Sequence, residues 1–317
     1  MTENEFLLED RIAKIKATVE KYGEDNFYIS YSGGKDSNVL SALVDMALPK
    51  NRIPRVYANT GIELNMVRDF VFEQQEHDDR IQVIKPSVPI KKMLEEEGYP
   101  FKSKHHSLHV KRYQMCGKEY KSVRAYLGEE PTVSWGPRYT CPNILRYQFD
   151  PTYRLRISDV CCVAMKEKPM TEWAKENNKP YTMIGLMREE GGRRSNANCL
   201  AFKGKKFFAF QPLAVVTKPW ENWFIEKYKV DIPALYYPPF NFVRTGCKGC
   251  PFAQDLQEEL DTLEKFFPGE RKQCELIWKP VYDEYRRLGY RLKKPYENDH
   301  VEGQLAFTDI DMNIGTE

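Results

Sequence analysis

The sequence predicts an α/β fold, a doubly wound parallel sheet with a C-terminal helical extension. Three strand–turn–helix units fill the first hundred residues, and alternation of this kind builds parallel sheets with helices on both faces. The chain has 317 residues, enough for one α/β domain of roughly 200–250 residues and an appended element. Hydrophobic residues make up 41% and charged residues 30%, a balance that allows a core and excludes wholesale disorder.

The elements follow in order. Phe6, Leu7, Ile12, Ile15 and Val19 keep helical spacing up to Gly23, which predicts an N-terminal helix over 1–24. Phe27-Tyr28-Ile29-Ser30-Tyr31 reads as a buried strand, broken by Ser32-Gly33-Gly34-Lys35-Asp36-Ser37. Val39, Leu40, Leu43, Val44 and Met46 restart a helical pattern. Arg55–Asn59 is a second strand with a helix over about 63–76 after it, and Ile81–Ile84 is a third. A short helix runs from Pro89 to Glu97, and Gly98 closes it. Tyr181–Gly185 is a later strand. Thr217-Lys218-Pro219 opens a helix to about Tyr228, with Thr217 as cap and Pro219 in its first turn. Residues 255–288 are helical with a break at Pro268-Gly269, and the last 25 read as a loose tail.

The charge totals are 48 basic against 46 acidic residues, so any nucleic-acid or membrane argument must be local. No apolar run approaches the roughly 18 residues of a membrane span, and the acidic start Met1–Glu5 has no signal-peptide core. The expectation is a cytoplasmic protein with no membrane partner. There are eight cysteines. In a reducing compartment they point to metal ligation, nucleophilic chemistry or buried small side chains rather than disulfides.

The turn Ser32–Ser37 holds two glycines, a lysine and two serines between a strand and a helix. Glycines let backbone N–H groups curl around an anion, the helix N-terminus adds partial positive charge, and Lys35 adds a full one. The spacing is not that of the G-x-x-x-x-G-K-[ST] loop. It resembles, without a gap, the SGGKDS pyrophosphate loop (PP-loop) of the adenine nucleotide α-hydrolase superfamily. The resemblance implies ATP or a sulfonucleotide at Ser32, Gly33, Gly34, Lys35, Asp36 and Ser37, with Lys35 and Asp36 catalytic and Asp36 on the Mg2+ side. ATP-using members of that group activate a substrate oxygen by adenylylation and release pyrophosphate.

Two further patches support the same site. Asn59-Thr60-Gly61-Ile62-Glu63 follows the second strand, and Gly185-Leu186-Met187-Arg188-Glu189-Glu190-Gly191-Gly192-Arg193-Arg194 follows a later one. Both stand where doubly wound folds bind ligands. Arginines there can hold phosphate or sulfate bidentately, or form a solvated loop. The patches resemble segments of the phosphoadenosine phosphosulfate (PAPS) reductase family. That resemblance implies nucleotide contacts from Thr60, Gly61 and Arg194 and a catalytic role for Arg188. Met187 and Gly191-Gly192 depart from the family's wording.

Cys161-Cys162 are adjacent, and Cys247-Lys248-Gly249-Cys250 is a C-x-x-C turn 85 residues further on. One C-x-x-C is ambiguous between metal site and redox dithiol. Two pairs give four ligands, enough for zinc or an iron–sulfur cubane. Neighbours on a regular helix diverge by about 100°, awkward for one small ion and easier for a larger cluster. The set resembles the Cys-Cys…Cys-x-x-Cys ligands of a 4Fe-4S cluster in adenylyl-sulfate reductases and in proteins of DNA phosphorothioation. It implies that Cys161, Cys162, Cys247 and Cys250 hold such a cluster. Cys116, Cys141, Cys199 and Cys274 have no spacing partner and read as buried or half-buried thiols. Family reductases carry a nucleophilic cysteine near the C-terminus, whereas nothing after Cys274 is a cysteine here.

The resemblance covers roughly 25–255. It divides the chain into the helix 1–24, a PP-loop nucleotide-binding and iron–sulfur domain over 25–254, and a helical extension and tail over 255–317. Within the domain, residues 102–125 hold seven Lys/Arg, one acid and His105, His106 and His109. This basic insert reads as a nucleic-acid surface with Tyr113, Tyr120 and Tyr126 for stacking, as a histidine metal site, or as a solvated helical face. Three functions fit the sequence. The first is an ATP-dependent enzyme of sulfur transfer, of phosphorothioation or thiolation type, served by a sulfur-donor protein. The others are a sulfonucleotide reductase and a nucleotide-binding regulator without turnover.

Overall fold

A computed structural model describes residues 1–130, 140–191 and 194–294. The tail beyond 294 and the residues Gly192 and Arg193 lie outside them. Among the described residues, six strands form one sheet: β1 (Phe27–Ser30), β2 (Arg55–Ala58), β3 (Ile81–Ile84), β4 (Tyr181–Met183), β5 (Leu200–Lys203) and β6 (Lys206–Phe210). Their order is β3-β2-β1-β4-β6-β5. β1 pairs in parallel with both β2 and β4, β2 with β3 and β4 with β6, while β5 runs antiparallel to β6. The chain winds outward from β1 to β3 and returns on the other side at β4. The crevice at the carboxyl end of β1 is therefore the topological switch point, where open α/β sheets receive ligands.

Helices cover both faces of the sheet. α1 (Glu3–Tyr22) opens on a capping box in which Thr2 and Glu5 bond each other's backbone. It packs on α2 (Lys35–Ala47), as does α8 (Lys218–Tyr228). Phe27, Ile29, Leu40, Val44, Met183 and Phe210 form the core beneath them. α3 (Asn65–His77) packs on β3. On the other face α7 (Lys168–Glu176) packs on β2 and β3 and sets Trp173 against Tyr28 and Val56. Strands buried on both sides read as continuous apolar runs, as β1 does.

A second core lies outside the sheet. It gathers α4 (Ile90–Glu97), α5 (Lys104–Cys116), α6 (Lys121–Tyr126), α9 (Leu256–Phe266) and α10 (Pro268–Leu288), through Met93, Val110, Val123, Leu260, Trp278 and Tyr282. Helices α9 and α10 thus share a core with the segment that carries Cys161.

The structure differs from or adds to the sequence reading in three places. The strand over Tyr181–Gly185 stops at Met183, because Gly185 lies against the backbone of Asp36, where a Cβ would stand 2.6 Å from the Asp36 carbonyl oxygen. The β5–β6 hairpin has no counterpart in the sequence reading. Phe202 and Phe208 are exposed there, and a pairing register that slips between Ala201 and Phe202 blurs the alternation. The helix that carries Cys161-Cys162 is not regular, since a π-helical turn occupies Val163–Glu167, a widening frequent at functional sites.

Candidate functional site

Ser32–Ser37 leaves β1 at the switch point and enters α2. Gly33 has φ +70, and a Cβ there would stand 2.4 Å from Val71 Cγ2, so both backbone and space demand glycine. Gly34 is the N-cap of α2. The two serines close the loop. The Ser37 hydroxyl donates to the Gly34 carbonyl at 2.8 Å and accepts from Ser32 N–H at 3.3 Å.

The loop is flanked by residues that the sequence reading does not single out. Lys35 N–H donates to the Tyr236 hydroxyl at 3.1 Å, and that hydroxyl meets Thr245 Oγ1 at 2.5 Å. A Cβ on Gly34 would lie 2.9 Å from Thr245 Oγ1. The Lys35 ammonium pairs with Glu221 Oε2 at 2.9 Å, and the Glu221 side chain is fully buried. Burial first, and then the charge of neighbouring Asp36, raises the Glu221 carboxyl; burial likewise raises Asp36, with Lys35 and Arg194 opposing. Two carboxyls beside one ammonium make a charge-dense floor under the loop. No local signal marks Glu221, which lies in an amphipathic helix 186 positions from Lys35.

The other predicted walls are partly occupied by the protein itself. Thr60 N–H and Gly61 N–H each donate to Glu63 Oε2 at 3.1 Å, and the Thr60 hydroxyl donates to Glu63 Oε1. Glu63 therefore already occupies the donors of this turn. Arg194 pairs with Glu190, whose other oxygen meets Arg244 at 3.1 Å. Arg188 is exposed and donates to the Ala197 carbonyl within its own loop. Three cavities, of about 510, 530 and 450 Å3, have none of Ser32–Ser37 in their walls.

The cysteine pairs do come together. Each of Cys161, Cys162, Cys247 and Cys250 lies within electrostatic reach of the other three. Burial raises the thiols of Cys161, Cys247 and Cys250, and the Lys166 ammonium hydrogen-bonds Cys247. Among the described residues, no three His, Cys, Asp or Glu side chains converge closely enough to hold a single ion. A four-iron cluster binds one thiolate at each of four separate irons, so four thiols near one another but not on one point fit it in number and chemistry. Cys247 also forms an isolated antiparallel bridge with Glu63, tying this site to the Thr60-Gly61 turn.

Of the unpaired cysteines, Cys141 and Cys274 are buried, while Cys116 and Cys199 are partly exposed. Cys274 is fully buried, and burial pushes its thiol up to about 12. The basic insert buries His106, Ser107, His109, Val110 and Val123, while its lysines and arginines stay partly or fully exposed. His106 is fully buried, with Nδ1 2.8 Å from the Tyr126 hydroxyl and Nε2 2.6 Å from Gln148 Oε1. An amide oxygen only accepts, so Nε2 carries the proton and Tyr126 donates to Nδ1. This imidazole has no nitrogen left for a metal. Lys104, Lys111, Lys118 and Arg124 pair with Glu167, Glu97, Glu129 and Glu130.

Residues 26–140 and 144–253 match the phosphoadenosine phosphosulfate reductase domain, and the chain belongs to that family. No curated protein matches it. Similar solved structures include the phosphoadenylyl-sulfate (PAPS) reductase of Candida auris in a phosphate complex, at 10% identity and TM-score 0.41, over 74% of this chain and 93% of that one. The NH3-dependent NAD synthetase of Campylobacter jejuni aligns at 10% identity and TM-score 0.39, over 89% and 96%. The U34-tRNA thiolase NcsA of Methanococcus maripaludis, solved with its 4Fe-4S cluster, aligns at 15% identity and TM-score 0.36, over 90% and 80%. No helix among the described residues is long and apolar enough to cross a membrane.

Proposed function

We propose that this protein is an ATP-using enzyme of sulfur transfer. The observation that carries the reading is the segment Tyr236–Cys250. Its Tyr236 and Thr245 hydroxyls hold the glycine loop at Lys35, and Cys247 of the four-cysteine site follows two residues later. One short run of chain serves both centres.

In this reading the Gly33-Gly34 backbone and Lys35 hold the polyphosphate, and Asp36 is offered to Mg2+. A substrate oxygen attacks the α-phosphorus, and its bond to pyrophosphate breaks. A sulfur nucleophile from a donor protein then displaces AMP from the activated carbon or phosphorus. Lys35 exchanges its bond to Glu221 for one to phosphate, and Arg194 can turn from Glu190 to the nucleotide. Cys161, Cys162, Cys247 and Cys250 would hold the 4Fe-4S cluster, which supplies electron-transfer or sulfur-relay chemistry when bound.

Membership of the PAPS reductase family favours a second reading, reduction of a sulfonucleotide. It requires a nucleophilic thiol, and Cys274 is fully buried and held protonated. Anaerobically purified protein should release pyrophosphate from ATP with a nucleic-acid or small-molecule acceptor, and Lys35→Ala should abolish the release. Sulfite from adenylyl sulfate, lost in Cys274→Ser and without pyrophosphate release, would establish the reductase instead. Zinc in place of iron and sulfide would overturn the cluster assignment.

A further inference from the structure

The C-x-x-C turn is held by residues far along the chain. Three aromatic side chains on one face of α10 end on carbonyls of the turn and of Pro251 just after it. Trp278 Nε1–H donates to the Lys248 carbonyl at 3.0 Å, the Tyr282 hydroxyl to the Gly249 carbonyl, and the Tyr285 hydroxyl to the Pro251 carbonyl at 2.8 Å. All three side chains are fully buried. From α9, Glu259 Oε1 accepts the Gly249 N–H at 2.7 Å. Lys248 N–H donates to the Ile62 carbonyl at 2.7 Å. Gly249 has φ +58, and a Cβ there would stand 2.3 Å from the Tyr282 hydroxyl and 2.9 Å from Cys274 Sγ.

Packing alone does not call for this. Phenylalanine or leucine fills the same volume without bringing a buried donor that needs a partner. Positions 278, 282 and 285 repeat at helical spacing, so their donors form one row along the turn. Each bond fixes a backbone group of the turn and none uses a sulfur, which leaves Cys247 and Cys250 available to a ligand.

We propose that Trp278, Tyr282, Tyr285 and Glu259 are positioning residues that hold the Cys247–Cys250 turn in ligand-binding shape before a metal arrives. The proposal rests on the reading of the four cysteines as a metal centre. It makes α9 and α10 a working part of that centre. Partners behind metal ligands typically carry a factor of about 10–100 in metal affinity.

The test uses the metal-free full-length chain with Cd2+ as a thiolate probe, followed by the sulfur-to-metal absorption band, together with the alkylation rate of Cys250 in the absence of metal. Tyr282→Phe and Glu259→Leu should weaken Cd2+ binding by about 10–100-fold and speed Cys250 alkylation. Glu259→Gln, whose amide oxygen still accepts the Gly249 N–H, should stay close to the parent in both. Tyr153→Phe, which removes a half-buried hydroxyl bonded by Gln148 rather than by the turn, is the stability control. If Tyr282→Phe and Glu259→Leu change affinity and alkylation no more than Tyr153→Phe does, the positioning role is overturned. If the parent takes up no Cd2+, the metal reading falls, and the alkylation rates alone decide the brace: faster in both variants upholds it, unchanged overturns it.

Discussion

The Lys35 ammonium sits 2.9 Å from Glu221 Oε2, and the Glu221 carboxylate is fully buried. Asp36 adds a second carboxyl beside it. A polyphosphate arriving at the loop meets this negative charge and competes for the same lysine. Glu221→Gln removes the charge, keeps the shape and releases Lys35. ATP should bind several-fold more tightly to Glu221→Gln in equilibrium titration. Weaker binding would mean that Glu221 aims Lys35 at the ligand rather than restraining it.

The close approach of Gly185 to Asp36 makes the loop sensitive to one methyl group. In Gly185→Ala the new Cβ would lie 2.6 Å from the Asp36 carbonyl oxygen. The backbone must shift, at a cost of about 1–3 kcal/mol, and the loop shifts with it. Denaturant unfolding should show that loss, and nucleotide binding should fall further than stability does. Gly246→Ala, with nothing within 4 Å of its Cβ, should change stability by no more than about 0.5 kcal/mol. Equal effects from the two substitutions would refute the packing argument.

Lys248 and Glu270 form a buried pair at 2.9 Å with side chains 2% and 7% exposed. Lys248→Met leaves a buried carboxylate without its counter-charge, which should cost about 3–5 kcal/mol. Adding Glu270→Gln removes the charge and keeps an acceptor for Asn65 N–H, bonded to Glu270 at 2.9 Å. The double variant should recover most of the loss in chemical denaturation. A double variant as unstable as the single one would show that the lysine acts through its bonds to Gln273 and Asn65 instead.

Burial holds the His106 imidazole down at about 3. The unfolded chain takes up that proton near the usual value of about 6.5, while the folded chain stays neutral. The unfolded state thus binds more protons between these values, and stability falls as pH drops below about 6.5. Thermal unfolding from pH 7.5 to 5 should show a decline in melting temperature that is shallower in His106→Gln. A decline of the same slope in both would assign the acid sensitivity elsewhere.

The strand–glycine–helix unit is legible because its cause is local. Gly33 needs a positive φ, the serines bond within six residues, and Phe27–Ile29 is apolar throughout. The cysteine pairs are legible by count and spacing. The insert is legible only in part: its cations lie partly or fully exposed, but His106 turns inward to Gln148, 42 positions away, and four of the cations meet acids that sequence order does not place beside them.

By itself the sequence determined the α/β class, the glycine loop and the four candidate thiols, because each follows from neighbouring residues or a short spacing. Only the tertiary structure decided what touches them. Glu221 and Tyr236 reach Lys35 across 186 and 201 positions, Glu63 occupies the donors of Thr60 and Gly61, and α10 holds the C-x-x-C turn. The physical reason is that a buried charge or donor must find a partner wherever the fold brings one, and that partner is set by how the helices pack rather than by order along the chain.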